Sequence, residues 1–139
     1  MKILITGATG FAGGYLLRYL SSIYGIENVH GTGRSLSKAR ILSDEGFTIK
    51  VGDLVDPEFV NSQLTSYDLI IHCAAKSSVW GSYDSFYKAN VVATKNLIEV
   101  IHSEQQLIYI STANIYFNFG NRRSICEDDP LPNTFNNHY

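Results

Sequence analysis

What this chain lacks removes whole classes of function. No apolar run approaches the roughly 18 residues that a membrane helix needs, so no membrane span is expected. Eleven Lys and Arg stand against thirteen Asp and Glu, a net charge of −2. That balance leaves no basic field for nucleic acid or an anionic lipid surface. Cysteine is scarce. Cys73 and Cys126 have no metal-ligand spacing, and no metal site is expected. The dense acidic run Glu127-Asp128-Asp129 reads as a solvated turn rather than an ion site. The opening Met1-Lys2-Ile3-Leu4-Ile5-Thr6 carries one charge and a short apolar run before it turns glycine-rich, the mark of a strand rather than an export signal. Both thiols are therefore expected free in a reducing cytoplasm, with Cys73 as a small buried hydrophobe. Internal repeats and low-complexity segments are missing as well.

What is present is enough for one domain: 139 residues, 45% hydrophobic and 17% charged. Strand and helix patterns alternate along it. Short apolar runs predict strands over 2–6, 28–32, 47–51, 69–73 and 107–111. Helices are predicted over 11–24, 37–45, 56–65 and 82–103. In the first, Phe11, Tyr15, Leu16, Tyr19, Leu20 and Ile23 recur at helical spacing, with Gly25 as the C-cap. Asp56-Pro57 is a capped start with proline in the first turn. His72 and His102 read as structural, and the tail beyond 111 as loop. Strands separated by helices imply right-handed βαβ units. The expected architecture is α/β, a Rossmann-type doubly wound parallel sheet with strand order 3-2-1-4-5, occupying 1–139 as one domain.

The segment Thr6-Gly7-Ala8-Thr9-Gly10-Phe11-Ala12-Gly13 joins the first strand to the first helix. Gly7 allows a sharp turn, Gly10 a close approach of backbone to a pyrophosphate, and Gly13 tight packing of helix on sheet. The helix N-terminus adds N–H groups and positive dipole for phosphate. At that junction the loop predicts dinucleotide binding through Gly7, Thr9, Gly10, Phe11 and Gly13. The bland alternative is a tight turn without a ligand.

A NAD site usually carries Asp or Glu about twenty residues beyond such a loop. Here the second strand runs Val29-His30-Gly31-Thr32-Gly33-Arg34-Ser35, with no carboxylate. Gly33 leaves room, Arg34 offers a fork of donors for a 2′-phosphate, and Ser35 and Lys38 add contacts. The expected cofactor is NADP, with NAD the alternative; a solvated loop arginine is the plain reading. Asp53-Leu54, after the third strand, suits adenine, the carboxylate accepting from the amine and the leucine packing on the ring. An aspartate there is as often a turn residue.

These residues, with His72-Cys73-Ala74-Ala75, Asn90-Val91, Ser111-Thr112, Tyr116 and Tyr139, occur in the order seen in extended short-chain dehydrogenases/reductases, the NAD-dependent epimerase/dehydratase superfamily. The chain resembles a bit less than half of a typical member. The stretch from Ala74-Ala75-Lys76 through Trp80-Gly81 and Tyr83 to Phe86-Tyr87 and Asn90-Val91 is similar to the 3β-hydroxysteroid dehydrogenase-like branch, which includes bacterial ketone reductases of long-chain olefin synthesis. The resemblance implies an oxidoreductase interconverting a secondary alcohol and a ketone. Thr112 would hydrogen-bond the substrate oxygen, and Tyr139 would head the Tyr-x-x-x-Lys motif as acid/base. Ser111 and Asn90 would lie by the nicotinamide ribose, with Ala74 and Ala75 along the cofactor path. Lys76 reads as a solvated lysine or a neighbour of the phosphates.

In that motif the lysine ammonium helps bring the tyrosine, near pKa 10 when free, toward its working range. The sequence ends at Tyr139, so the expectation is a portion that binds dinucleotide with little turnover by itself. The fourth helix carries more apolar surface than one sheet face needs, which predicts a homodimer through it. A nucleotide-sugar epimerase or dehydratase, and a non-catalytic nucleotide-binding remnant, are the competing readings.

Overall fold

The computed structural model describes residues 1–78, 80–116 and 124–132. Five parallel strands, β1 (Ile3–Thr6), β2 (Val29–Gly33), β3 (Ile49–Val51), β4 (Leu69–His72) and β5 (Gln106–Tyr109), form one sheet in the order β3-β2-β1-β4-β5. This is the expected Rossmann-type order. The chain winds outward from β1 in one direction to β3, then returns past β1 to β4 and β5. A crevice therefore opens at the carboxyl ends of β1 and β4, where the winding reverses.

The central strands are buried on both faces, which explains their continuous apolar runs. Alternation along β1 and β4 divides the core in two. Ile3, Ile5 and Ile71 pack with Ala8, Leu17, Val29 and Leu42, beneath helices α1 (Phe11–Tyr24) and α2 (Leu36–Asp44). Leu4 and Ile70 face the other way, onto Leu54, Val60, Leu64, Tyr67, Ala93 and Leu97, beneath α3 (Pro57–Gln63) and the long final helix.

That final helix is not uniform. It begins as α4 (Tyr83–Phe86), continues as a π-helical segment over Tyr87–Val92 and ends as α5 (Ala93–Glu99). Val92 and Ala93 at the second junction are right-handed helical, so the rod is unbroken. Within it, Ala93 N–H reaches Lys88 O, a step of five residues. The rod ends earlier than the apolar pattern predicts. His102 lies beyond it, in a turn closed by Gln105, whose side chain accepts from His102 N–H and donates to Thr65 O and Tyr67 O.

The apolar positions that the spacing picks out in α1 divide between two faces, and only Leu16 and Leu20 of them pack against the core. Gly13, Gly14, Leu17 and Ser21 are buried, whereas Phe11 is 98% exposed and Tyr15, Tyr19 and Ile23 are also exposed. Small residues take the inner face because the helix lies close to the sheet. The aromatic stripe faces out, and Tyr15 stacks on Tyr19 with 6.1 Å between centroids.

Candidate functional site

Gly7 ends β1 with φ +68°, a conformation glycine adopts without penalty. A Cβ there would lie 2.8 Å from Ala74 Cα, so the turn also depends on close approach to the chain leaving β4. The next step is helix on turn: a Cβ on Gly13 would overlap Gly7 O and stand 2.7 Å from the Gly7 carbonyl carbon. Gly10 is the N-cap of α1 and leaves it without a side-chain cap. Ser35, Asp56 and Ser82 cap α2, α3 and α4 with their side chains. The end of α1 thus keeps N–H groups directed out of the helix, the feature that favours an anion.

A cleft of about 320 Å³ opens over this turn. Gly7, Thr9 and Gly10 line it from β1, Thr32 to Ser35 from the end of β2, and Lys38 from α2. Gly52, Asp53 and Leu54 close one end, and Cys73, Ala74 and Ala75 the other, with Ala89 and Ala93 of the long helix alongside. The structure therefore gathers Gly7, Thr9, Gly10, Arg34, Asp53, Leu54, Ala74 and Ala75 in one place. Gly13 lies under the turn, and Phe11 stands on the first turn of α1.

Several details differ from expectation. The space beside Gly33 is filled by Thr9, whose Oγ1 would be 2.5 Å from a Cβ at position 33. The glycine accommodates the loop from β1, so the room assigned to a 2′-phosphate is taken at that point. Arg34 stays open, 63% exposed, with Nη1 3.6 Å from Asp53 Oδ2. An exposed pair of this kind is weak and easily exchanged for another anion. Asp53 Oδ1 meanwhile accepts from Val55 N–H at 3.1 Å, the turn role. Cys73 is half-buried, packed against the core on one side and lining the cleft on the other, and burial pushes its thiol pKa up. Lys76 is no free lysine: Nζ donates to Ser85 Oγ at 2.6 Å and lies 4.8 Å from the centre of the Phe86 ring.

A second cavity, about 410 Å³, lies beyond β5 and is lined by Ser111, Thr112, Ala113, Ile115, Tyr116 and residues 125–127. Thr112 is half-buried there, with Oγ1 accepting from Asn114 N–H at 3.3 Å. Tyr116 donates its hydroxyl to Glu127 O, and Cys126 N–H and Asp129 exchange bonds in a turn, so the acidic run is indeed loop. Tyr139 lies outside the described residues. Among those residues no cluster suits a metal ion and no helix is long and apolar enough to cross a membrane.

Asn90 is not on the cleft wall. Its amide clasps the backbone of Lys76, accepting from the N–H at 2.7 Å and donating to the carbonyl at 3.1 Å. Asn96, overlooked in the sequence, does the same for the other end of the cleft: its Nδ2 donates to Leu54 O at 3.0 Å and Val55 O at 2.9 Å. No pattern in the sequence marks Asn96, because its partners are main-chain atoms some forty residues away.

Fold, glycine turn and cleft together define a Rossmann-type protein of the dinucleotide-binding kind. The chain matches the NAD dependent epimerase/dehydratase family over residues 3–139, and it belongs to that family. It is 37% identical over 118 residues to a 2-alkyl-3-oxoalkanoate reductase of Stenotrophomonas maltophilia, covering 83% of this chain and 34% of that one. It is 30% identical over 138 residues to a decarboxylating sterol-4-alpha-carboxylate 3-dehydrogenase of Dictyostelium discoideum, covering 94% and 41%. The chain thus spans a third to two fifths of the length of these relatives. Its fold superposes on a short-chain dehydrogenase/reductase superfamily protein of Agrobacterium tumefaciens with bound NAD, at TM-score 0.78 and 23% identity over 100% of this chain and 40% of that one.

Proposed function

We propose that this chain is the cofactor-binding portion of an NAD(P)-dependent oxidoreductase that interconverts a secondary alcohol and a ketone. The observation that carries the reading is the continuous cleft from the uncapped N-terminus of α1 to Arg34. The residues present fit a dinucleotide. Gly10 turns no side chain toward a pyrophosphate, and Thr32, which lines the cleft, has a buried hydroxyl with no partner among the described residues. Arg34, Ser35 and Lys38 at one end favour NADP, since the end of β2 carries no carboxylate that would repel a 2′-phosphate. Asp53 and Leu54 would meet the adenine, and Ala74 and Ala75 the path toward the nicotinamide. Ser111 would approach the ribose; Asn90 acts there through the loop it clasps.

When bound, the nicotinamide accepts or delivers the hydride. Thr112 would hold the substrate oxygen, and Tyr139 would move its proton. A ketone reductase and a sterol dehydrogenase among the relatives support the alcohol/ketone pair. The family description names an epimerase or dehydratase, and a nucleotide-sugar enzyme of that kind is the second reading, which would use the same cofactor residues. On the long helix Tyr83, Tyr87, Val91 and Ile98 are exposed, which supports a homodimer through that rod in a cytoplasmic enzyme.

Titration of the chain with NADPH and NADH, followed by the fluorescence of the reduced nicotinamide, tests the reading. Saturable binding with NADPH tighter than NADH is the expected result. No saturable binding of either refutes it.

A further inference from the structure

His72 is the largest polar side chain in the core, 1% exposed, and the chemistry just proposed gives it no part. Its hydrogen bonds determine where its proton lies. Thr94 Oγ1 donates to Asn90 O at 2.7 Å, a carbonyl that can only accept. The single hydroxyl hydrogen of Thr94 is thereby used. His72 Nε2, 3.0 Å from the same oxygen, must then be the donor, and Nδ1 the unprotonated acceptor. Thr6 Oγ1, 2.6 Å from Nδ1, donates to it, which leaves the Thr6 oxygen free to accept Ala74 N–H at 3.2 Å. Every group in the chain of bonds is satisfied in only this arrangement. Burial agrees with it, because it pushes the imidazole down to about 4 and keeps it neutral.

The two ends of this relay hold the two ends of one short segment. Thr6 fixes Ala74. Thr94 fixes Asn90 O within the π-helical segment, and the Asn90 amide clasps Lys76 N–H and O. A threonine that bonds back to the carbonyl four residues earlier bends a helix locally, and π-helical turns gather at functional sites. Ala74 and Ala75 line the cleft, as does Ala89 of the π-helical segment. We infer that His72 and Thr94 are positioning residues: His72, neutral with its proton on Nε2, locks the π-helical segment through Thr94 and so sets the cleft wall formed by Ala74 to Lys76. The cleft's ligand rests on the dinucleotide reading above; the relay itself does not.

The tests separate the two. In the unaltered chain, long-range ¹H–¹⁵N correlation of the imidazole is expected to show the Nε2–H tautomer; the Nδ1–H tautomer overturns the relay. In Thr94→Val, amide exchange at Lys76 should quicken about tenfold or more, the loss of roughly one net hydrogen bond. Gly31 N–H, bonded to Thr48 O at 2.9 Å on the far side of the sheet, should be unchanged. Thr94→Ser keeps the hydroxyl and should restore protection at Lys76. Exchange that stays slow at Lys76 in Thr94→Val, or that rises equally at Gly31, makes Thr94 an ordinary packing residue. Affinity for NADPH should follow the exchange, falling about tenfold in Thr94→Val and recovering in Thr94→Ser. A chain that binds no dinucleotide defeats the functional reading, while the exchange and tautomer results still decide the relay.

Discussion

Substituting alanine for Gly13 and for Gly10 separates what the glycine turn does for the fold from what it does for a ligand. At position 13 the added methyl meets only backbone: it overlaps Gly7 O and stands 2.7 Å from Gly7 C and 3.0 Å from Ala8 N. The turn cannot yield easily, since Ala8 N–H is bonded to Thr32 O at 3.0 Å and Gly10 N–H to Gly7 O at 2.8 Å. Moving the helix instead would loosen Leu17, which is fully buried against β1. Overpacking of this kind costs about 1–3 kcal/mol, and backbone contact places Gly13→Ala at the upper end. Alanine recovers up to about 1 kcal/mol in helix propensity. The net expectation is a loss of about 2 kcal/mol.

At position 10 the backbone is extended, φ −96° and ψ 179°, and alanine adopts it freely. Among the described residues the only atom near an added Cβ is Gly7 O at 3.2 Å, so Gly10→Ala should cost less than about 1 kcal/mol, chiefly through a poorer N-cap. Urea denaturation followed by circular dichroism provides the assay. With slopes of about 1–3 kcal/mol/M, Gly13→Ala should lower the midpoint by about 1 M and Gly10→Ala by a fraction of that. NADPH affinity should show the opposite emphasis, with Gly10→Ala losing about tenfold or more as its methyl enters the path of the pyrophosphate. Gly13→Ala as stable as the parent would falsify the close-packing argument. A stable Gly10→Ala with parental NADPH affinity would remove the pyrophosphate from that position.

Three further outcomes follow from the same geometry. The buried imidazole of His72 sits near 4 against about 6.5 in an unfolded chain, so the unfolded state binds the extra proton between those values. Its contribution is complete above about pH 6.5 and is lost as pH falls through that window, by about 1.4 kcal/mol per unit and roughly 3 kcal/mol in all; urea midpoints at pH 7 and 5 should therefore fall more in the parent than in His72→Gln, and equal falls reject it. Arg34→Ser should weaken NADPH binding by tenfold or more, about 1.4 kcal/mol, while leaving NADH within a factor of about three, and an equal loss for both cofactors would show that Arg34 does not meet a 2′-phosphate. Asn96→Ala strips two carbonyls of a donor and should cost about 1–3 kcal/mol by urea melt, with unchanged stability showing that water replaces the amide.

The strands were legible because a doubly covered parallel sheet demands unbroken apolar runs, and Ile3–Thr6 and Leu69–His72 have them. The helix starts were legible where a cap is written in side chains, as at Asp56-Pro57. Periodicity located α1 but did not single out its inner face, for a physical reason. A helix seated tightly on a sheet buries its smallest residues, Gly13, Gly14 and Ser21, and pattern reading weighs the large ones. The stripe Phe11, Tyr15, Tyr19, Ile23 satisfies helical spacing as well as the true inner face does. Spacing alone identifies a helix; it does not say which of two stripes turns inward.

The candidate site divides along the same line. Residues that meet the cleft with missing side chains or with charge, Gly7, Gly10 and Arg34, stand in a motif at one junction and can be found by position. Residues that shape the cleft from behind bond to backbone atoms far off in sequence, as Asn90 does to Lys76 and Asn96 to Leu54. Asparagine at a helical position carries no periodic signal, and its cost in helix propensity is small enough to pass unnoticed. His72 and Thr6 did leave a trace: each is a buried polar residue ending an apolar strand, where an unsatisfied group would cost about 1–3 kcal/mol. Such a residue must have a partner, and following the partners from Thr6 through His72 to Thr94 leads to Asn90 and the loop it clasps. The buried polar end of a strand is thus the point in this sequence from which the hidden half of the site can be reached.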